Sequence, residues 1–349
     1  MNSNLPFVYI FILMIGVGRI FSISSLHWLR IWVGLEINLI GFLPLLVYGK
    51  KLIESESAVK YFIVQALGSR VIIFGRLLGY NISLSWDLNI LSLVNLLGSG
   101  LIICGLLIKL GVFPFHVWVP SVIRGLSWIS CILLATWQKV APLFLLIVFM
   151  ELNNLRLFVL ILCFFSSLSA LVGGIGGVNQ TQIRALLGYS SIGHIGWIIY
   201  SLLHREKILI FYFLVYFLIS ICVFMSLWAL GLRYIKDLSI VKNYNIRYLR
   251  VILILLSLGG LPPLLGFISK FLVFTVGVES PFCSFIYLII LGSLISLYYY
   301  LSLFFSIVFN RFMNSGLLSF SKVLNLFLIL VVLVNLIGGF IIIGLNFLF

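Results

Sequence analysis

The chain reads as a series of apolar runs near 20 residues long, separated by short polar stretches. A helix of that length crosses about 30 Å of hydrocarbon. Read this way, the sequence predicts eleven transmembrane helices, at roughly 4–22, 26–48, 58–80, 88–118, 122–149, 155–178, 183–203, 208–232, 249–277, 282–309 and 322–346. The runs are continuous, whereas the strands of a lipid-facing barrel alternate apolar and polar residues over about ten positions. The expected class is an all-α polytopic membrane protein. Two spans are too long, 88–118 and 249–277; each would exceed about 40 Å at about 1.5 Å per residue. Each holds a helix-breaking stretch, Gly111-Val112-Phe113-Pro114 in one and Gly259-Gly260-Leu261-Pro262-Pro263 in the other. Proline removes an amide donor and clashes with the preceding turn. The carbonyls it frees need partners, so such breaks survive in a membrane inside protein or beside water. The broken helices are the fourth and the ninth. That spacing predicts a five-helix unit used twice, inverted because five is odd. The units would be residues 1–150 and 151–310, with a C-terminal helix in 311–349, although no residue-level repeat is visible.

Composition agrees. Of the 349 residues, 63% are hydrophobic and 9% charged, against about 25% charged in soluble domains. The longest hydrophilic stretch, 233–250, is too short for a soluble domain. The net charge of +14 is scattered over loops and helix ends, which argues against a nucleic-acid partner. Sorted by side of the membrane, twelve basic residues fall with the N-terminus and three opposite. The positive-inside rule then places the N-terminus inside and the C-terminus outside. The first basic residue is Arg19, so no basic region precedes the first apolar run, which is expected to stay as a helix. The five cysteines are widely spaced without a C-x-x-C pair and read as small buried residues, not as iron–sulfur or zinc ligands. The glycines at 173–177 read as close helix packing.

Four ionisable groups lie deep in the apolar runs: Glu36, Lys109, Lys139 and Lys270. Each costs about 2.5–3.5 kcal/mol at mid-membrane, so the four carry roughly 10 kcal/mol. A purely structural bundle has no use for that burden. Lys109 precedes the first break by five residues, Lys139 precedes Pro142 by three, and Lys270 follows the second break by seven. Charge beside broken helices is the pattern of an ion or proton path. A Glu36–Lys109 pair of variable separation has a switchable proton affinity. His116, just past the first break, titrates near neutrality and is placed to link Lys109 to Lys139 through water. The plainer readings stand beside these: Lys270 snorkelling to the interface, Glu36 pairing with Arg30 or a neighbouring subunit, His116 as a core histidine, and His194 as a hydrogen-bonded packing residue.

The stretches WVGLEINLIGFLPLL (32–46), AVKYFIVQALGS (58–69), LLIKLGVFPFHVWVP (106–120), WQKVAPL (137–143), ALLGYSSIGHIGW (185–197) and SLGGLPPLLGFISKF (257–271) resemble the antiporter-like membrane-arm subunits of respiratory complex I, the NADH:ubiquinone oxidoreductase. The resemblance implies a proton-translocating subunit in the mitochondrial inner membrane, its N-terminus on the matrix side and its C-terminus on the intermembrane-space side. It implies no redox cofactor on this chain; NADH, FMN, iron–sulfur clusters and ubiquinone are expected in other subunits. Partners would be other membrane-arm subunits, adjacent antiporter-like subunits among them, and membrane lipids. By motif, Glu36, Lys109, Lys139 and Lys270 take the family's charged-axis positions, His116 that of the histidine between the lysines, and Lys60 a lesser place near the membrane edge. Arg70, Arg76, Ser121 and Arg124 depart from the pattern. The rival functions are a stand-alone cation/proton antiporter and a scaffold that holds neighbours together.

Overall fold

The computed structural model describes residues 7–49, 51–83, 86, 96–152, 155–204, 206–235, 237, 246–262 and 264–313. They form helices α1 (Phe7–Ser24), α2 (Trp28–Leu46), α3 (Leu52–Ser83), α4 (Leu96–Leu110), α5 (Trp118–Gly125), α6 (Trp128–Ala135), α7 (Trp137–Leu152), α8 (Arg156–Val178), α9 (Ile183–Leu202), α10 (Glu206–Leu230), α11 (Ile246–Gly259), α12 (Leu265–Val278) and α13 (Cys283–Met313). Among the described residues, six spans are long and apolar enough to cross a membrane: α2, α3, the α6–α7 pair, α8, α10 and α13. Helices α1, α4 and α12 are shorter apolar helices. The first ten predicted positions all carry helix; the eleventh, 322–346, and Pro263 lie outside the described residues. The chain forms two compact units, Met1–Ile161 and Leu162–Phe349.

Two predicted helices need correction. The third helix runs over Leu52–Ser83, not 58–80. Its added first turn carries Glu54, which suits the positive end of the helix dipole, and at 32 residues it is about 48 Å long. The fifth helix, expected over 122–149, is three pieces. Helix α5 ends at Gly125, α6 starts at Trp128, and Thr136 separates α6 from α7. The Thr136 hydroxyl donates to the Ile132 carbonyl at 2.6 Å, a side-chain bond of the kind that bends a helix. Lys139 therefore sits in a short stretch between this interruption and Pro142, not in mid-helix.

In the first unit, α1 and α2 cross at glycines. A Cβ on Gly34 would stand 2.6 Å from the Gly18 carbonyl oxygen, so the backbones meet where side chains are absent. Helices α3 and α4 meet likewise at Gly75 and Gly98, and α4 packs on α7. In the second unit α9 is buried on nearly every side. It touches α8 through Gly173, whose Cβ would clash with the Gly193 backbone, while Gly174 faces the Gly292 carbonyl of α13. The glycine-rich stretch is a packing surface.

Candidate functional site

Both predicted breaks form, and both end in the same hydrogen-bond pattern. At the end of α4, Gly111 takes a left-handed φ of +72°. Its N–H donates to Leu107 (2.9 Å) and Ile108 (3.2 Å), and the Val112 N–H donates to Leu107 (3.2 Å). At the end of α11, Gly260 has φ +83°; its N–H donates to Leu256 (3.1 Å) and Ser257 (3.2 Å), and Leu261 donates to Leu256 (3.4 Å). This is the Schellman arrangement, and it needs a residue without a Cβ at the left-handed position. It leaves the last carbonyls of each helix without helical donors.

The two units satisfy those carbonyls differently. In the first, Gln65 Nε2–H donates to the Lys109 carbonyl (3.3 Å), and Trp118 Nε1–H adds a second donor to the Ile108 carbonyl (3.2 Å). The Lys109 ammonium is left for other work. Lys109 is 6% exposed, and its stem packs in the gap made by Gly68 of α3. Glu36, on α2, is close enough for its charge to act on Lys109 but forms no ion pair with it within 4.0 Å among the described residues. Trp118→Phe, which keeps the ring and removes the donor, should lower stability by about 1–2 kcal/mol; a thermal-unfolding midpoint measured on the intact assembly, unchanged from the parent, would refute that.

In the second unit Lys270 itself provides the cap. Its Nζ donates to the Gly259 carbonyl (2.8 Å) and reaches the Leu258 carbonyl (3.4 Å). The cationic group thus lies at the negative end of α11. Lys270 also lines a small cavity with Ser190, His194, Tyr299 and Tyr300. Its volume of ≈ 10 Å³ suits about a single water. His194 Nδ1 shares a hydrogen bond with the Tyr212 hydroxyl (3.0 Å), and the Tyr299 and Tyr300 hydroxyls are buried without partners of strict geometry. The bond to Tyr212 agrees with the packing role expected of His194; the tyrosines carry no sequence signal, because their approach to Lys270 depends on tertiary packing.

The remaining predicted residues separate cleanly. Glu36, Lys109, His116, Lys139 and Lys60 belong to the first unit and Lys270 to the second. Lys139 is 4% exposed. His116 lies in the loop after Gly111, half-buried and stacked on Phe113 (5.8 Å), with Pro114 two residues before it. Pro262 sits in the second break. Lys60 is not drawn into the buried group; it pairs with Glu56 at 2.6 Å on the exposed face of α3. Of the departures, Arg76 is buried and Arg70, Ser121 and Arg124 are exposed. A further buried charge stands outside the four singled out from the sequence: Arg19 of α1 is 2% exposed and bonded to Asn38, which in turn bonds Gln138, the neighbour of Lys139.

Fold and site together define a polytopic helical membrane protein of the ion-translocating kind, with buried lysines at interrupted helices. The pattern of the NADH:quinone oxidoreductase/Mrp antiporter transmembrane family matches residues 25–296, and the chain belongs to that family. It is 40% identical to NADH-ubiquinone oxidoreductase chain 2 of Anopheles gambiae, covering 88% of each sequence. It is 36% identical to the chain of the same name from Patiria pectinifera, covering 92% of this chain and 89% of the other. Among solved structures, it superposes on a chain of respiratory complex I from Thermus thermophilus with a TM-score of 0.82 at 26% identity, covering 97% of this chain and 79% of that one. A chain of an archaeal membrane-bound sulfane sulfur reductase shares the fold, with a TM-score of 0.83 at 20% identity, 99% of this chain and 75% of that one being covered.

Proposed function

We propose that the chain is a proton-translocating membrane-arm subunit of respiratory complex I, in the mitochondrial inner membrane. The observation that carries this is the placement of a lysine at a helix interruption in each unit: Lys109 and Lys139, both buried, beside the Gly111 and Thr136 breaks, and Lys270, half-buried, on the Gly259 carbonyl. The named relatives at 36–40% identity are complex I subunits, which favours this reading over a stand-alone antiporter. Redox chemistry then belongs to neighbouring subunits, where NADH, FMN, iron–sulfur clusters and ubiquinone are bound. The N-terminus faces the matrix, lipids and membrane-arm subunits cover the outer surface, and the ten-helix portion consists of two inverted five-helix units.

A change in the Glu36–Lys109 separation alters the proton affinity of Lys109, and the effect passes to Lys139 and then to Lys270. The magnitudes are comparable. Moving one charge against 100 mV takes about 2.3 kcal/mol. Two unit charges at an effective dielectric near 20 interact by about 4 kcal/mol at 4 Å and about 2 kcal/mol at 8 Å. Glu36→Gln in the assembled complex should lower the number of protons moved per electron pair, with the complex still formed. An unchanged ratio would remove Glu36 from the path. The chain reconstituted alone should exchange no cations for protons; exchange would favour the antiporter.

A further inference from the structure

We infer that Arg19 is a positioning residue for the proton path, acting on Lys139 through a pair of interlocked amides. The inference rests on the proton-translocation reading and extends it to a residue outside the family's motifs.

Arg19 lies five residues before the end of α1 at Ser24 and is 2% exposed. It reaches α2 because Gly18 and Gly34 let the two backbones touch. Its Nε–H donates to Asn38 Oδ1 at 3.3 Å. Its guanidinium carbon stands 5.5 Å from the centroid of the Trp137 ring, within the range of a cation–π contact. Its Nη1 and Nη2 are buried with no hydrogen-bond partner among the described residues. A desolvated cation is expensive, so its contacts with Asn38 and the Trp137 face strongly constrain both groups.

The amide pair shows what that constraint does. Asn38 Nδ2–H donates to Gln138 Oε1 (2.8 Å), and Gln138 Nε2–H donates back to Asn38 Oδ1 (3.4 Å). Two facing amides can turn over together without losing a hydrogen bond between them, because each exchanges donor for acceptor. A guanidinium has no acceptor, so Arg19 requires the Asn38 oxygen and selects one of the two arrangements. The selected arrangement fixes Gln138, and the Trp137 ring is held by the same cation. Trp137 and Gln138 are the first two residues of α7, immediately after the Thr136 interruption, and the third is Lys139. Pro142 has no N–H for the Gln138 carbonyl, and the Lys139 N–H bonds to Thr136 at 3.2 Å. Arg19 therefore fixes the direction in which α7 presents Lys139.

The test uses the assembled complex. Arg19→Met removes the donor and the charge at similar length; Arg19→Gln keeps a donor but adds an acceptor that permits the turned-over amides; Arg19→Lys keeps a donor-only cation. The expected result is roughly tenfold slower proton-coupled turnover in Arg19→Gln and Arg19→Met, the factor matching loss of one charge-assisted bond. Protons moved per electron pair should fall, KM for NADH and quinone should not change, and Arg19→Lys should restore most of the rate. Full turnover and an unaltered proton ratio in Arg19→Gln would overturn the inference, as would an Arg19→Lys variant no better than Arg19→Met. If Arg19→Met fails to assemble, Arg19→Gln, which keeps the polarity of the site, still decides. A Lys139→Met control separates the two levels. Loss of pumping there with none in Arg19→Gln rejects the Arg19 inference alone; no loss in either rejects the proton path through this chain.

Discussion

Lys270→Met should abolish proton movement through the second unit and loosen it at once, whereas Lys270→Arg should abolish proton movement and leave the fold intact. The contrast follows from the two jobs the ammonium holds. It donates to the Gly259 and Leu258 carbonyls at the end of α11, and with His194 it is one of the titratable groups that line that unit's cavity. Methionine fills the same length and supplies no donor. Two carbonyls then lose their donor, at roughly 1–3 kcal/mol for each group left unsatisfied, so a stability loss of about 2–6 kcal/mol is expected. Arginine reaches the same carbonyls with more donors and holds its proton at every accessible pH. A proton-to-electron ratio and a thermal midpoint, measured on both variants in the assembled complex, separate the roles. Normal pumping in Lys270→Arg would mean that this position caps a helix and carries no protons.

Gly34→Val should prevent stable assembly. A Cβ there would stand 2.6 Å from the Gly18 carbonyl oxygen and 2.8 Å from the Ser22 backbone nitrogen. These are backbone atoms and cannot rotate away, so α1 must move off α2. Overpacking of this kind costs about 3 kcal/mol or more. The separation would also pull Arg19 from Asn38, leaving a buried cation with less compensation. The chain should be lost from the membrane fraction while Gly16→Ala, on the facing helix α1 with open space around it, accumulates normally. Wild-type abundance of Gly34→Val would show that the α1–α2 contact is dispensable.

The two glycine–proline breaks were legible because each is written locally: a residue free to take positive φ, then one that cannot donate. The interruption at Thr136 was not, since a hydroxyl turned onto its own helix carries no mark that distinguishes it from a threonine in an unbroken turn. The buried lysines were legible by their depth in apolar runs. Their partners were not, because Lys270 meets carbonyls 11 and 12 positions away and the Asn38–Gln138 bond spans 100 positions. Arg19 lay inside a predicted span and carried the same signal as the lysines. Its position near the end of that span allowed an interfacial reading, which its burial excludes. Lys60 shows the converse: a basic residue inside a matching motif that the fold turns outward to Glu56.

The contact between Lys270 and Gly259 has a chemical corollary. An ammonium that gives up one hydrogen becomes an amine with two N–H bonds left, enough for both the Gly259 and Leu258 oxygens. What vanishes is the attraction between a full charge and the electron-rich tip of α11. The joint can thus remain fastened while its grip slackens, so that each departing proton changes the tension in the polypeptide without undoing the knot.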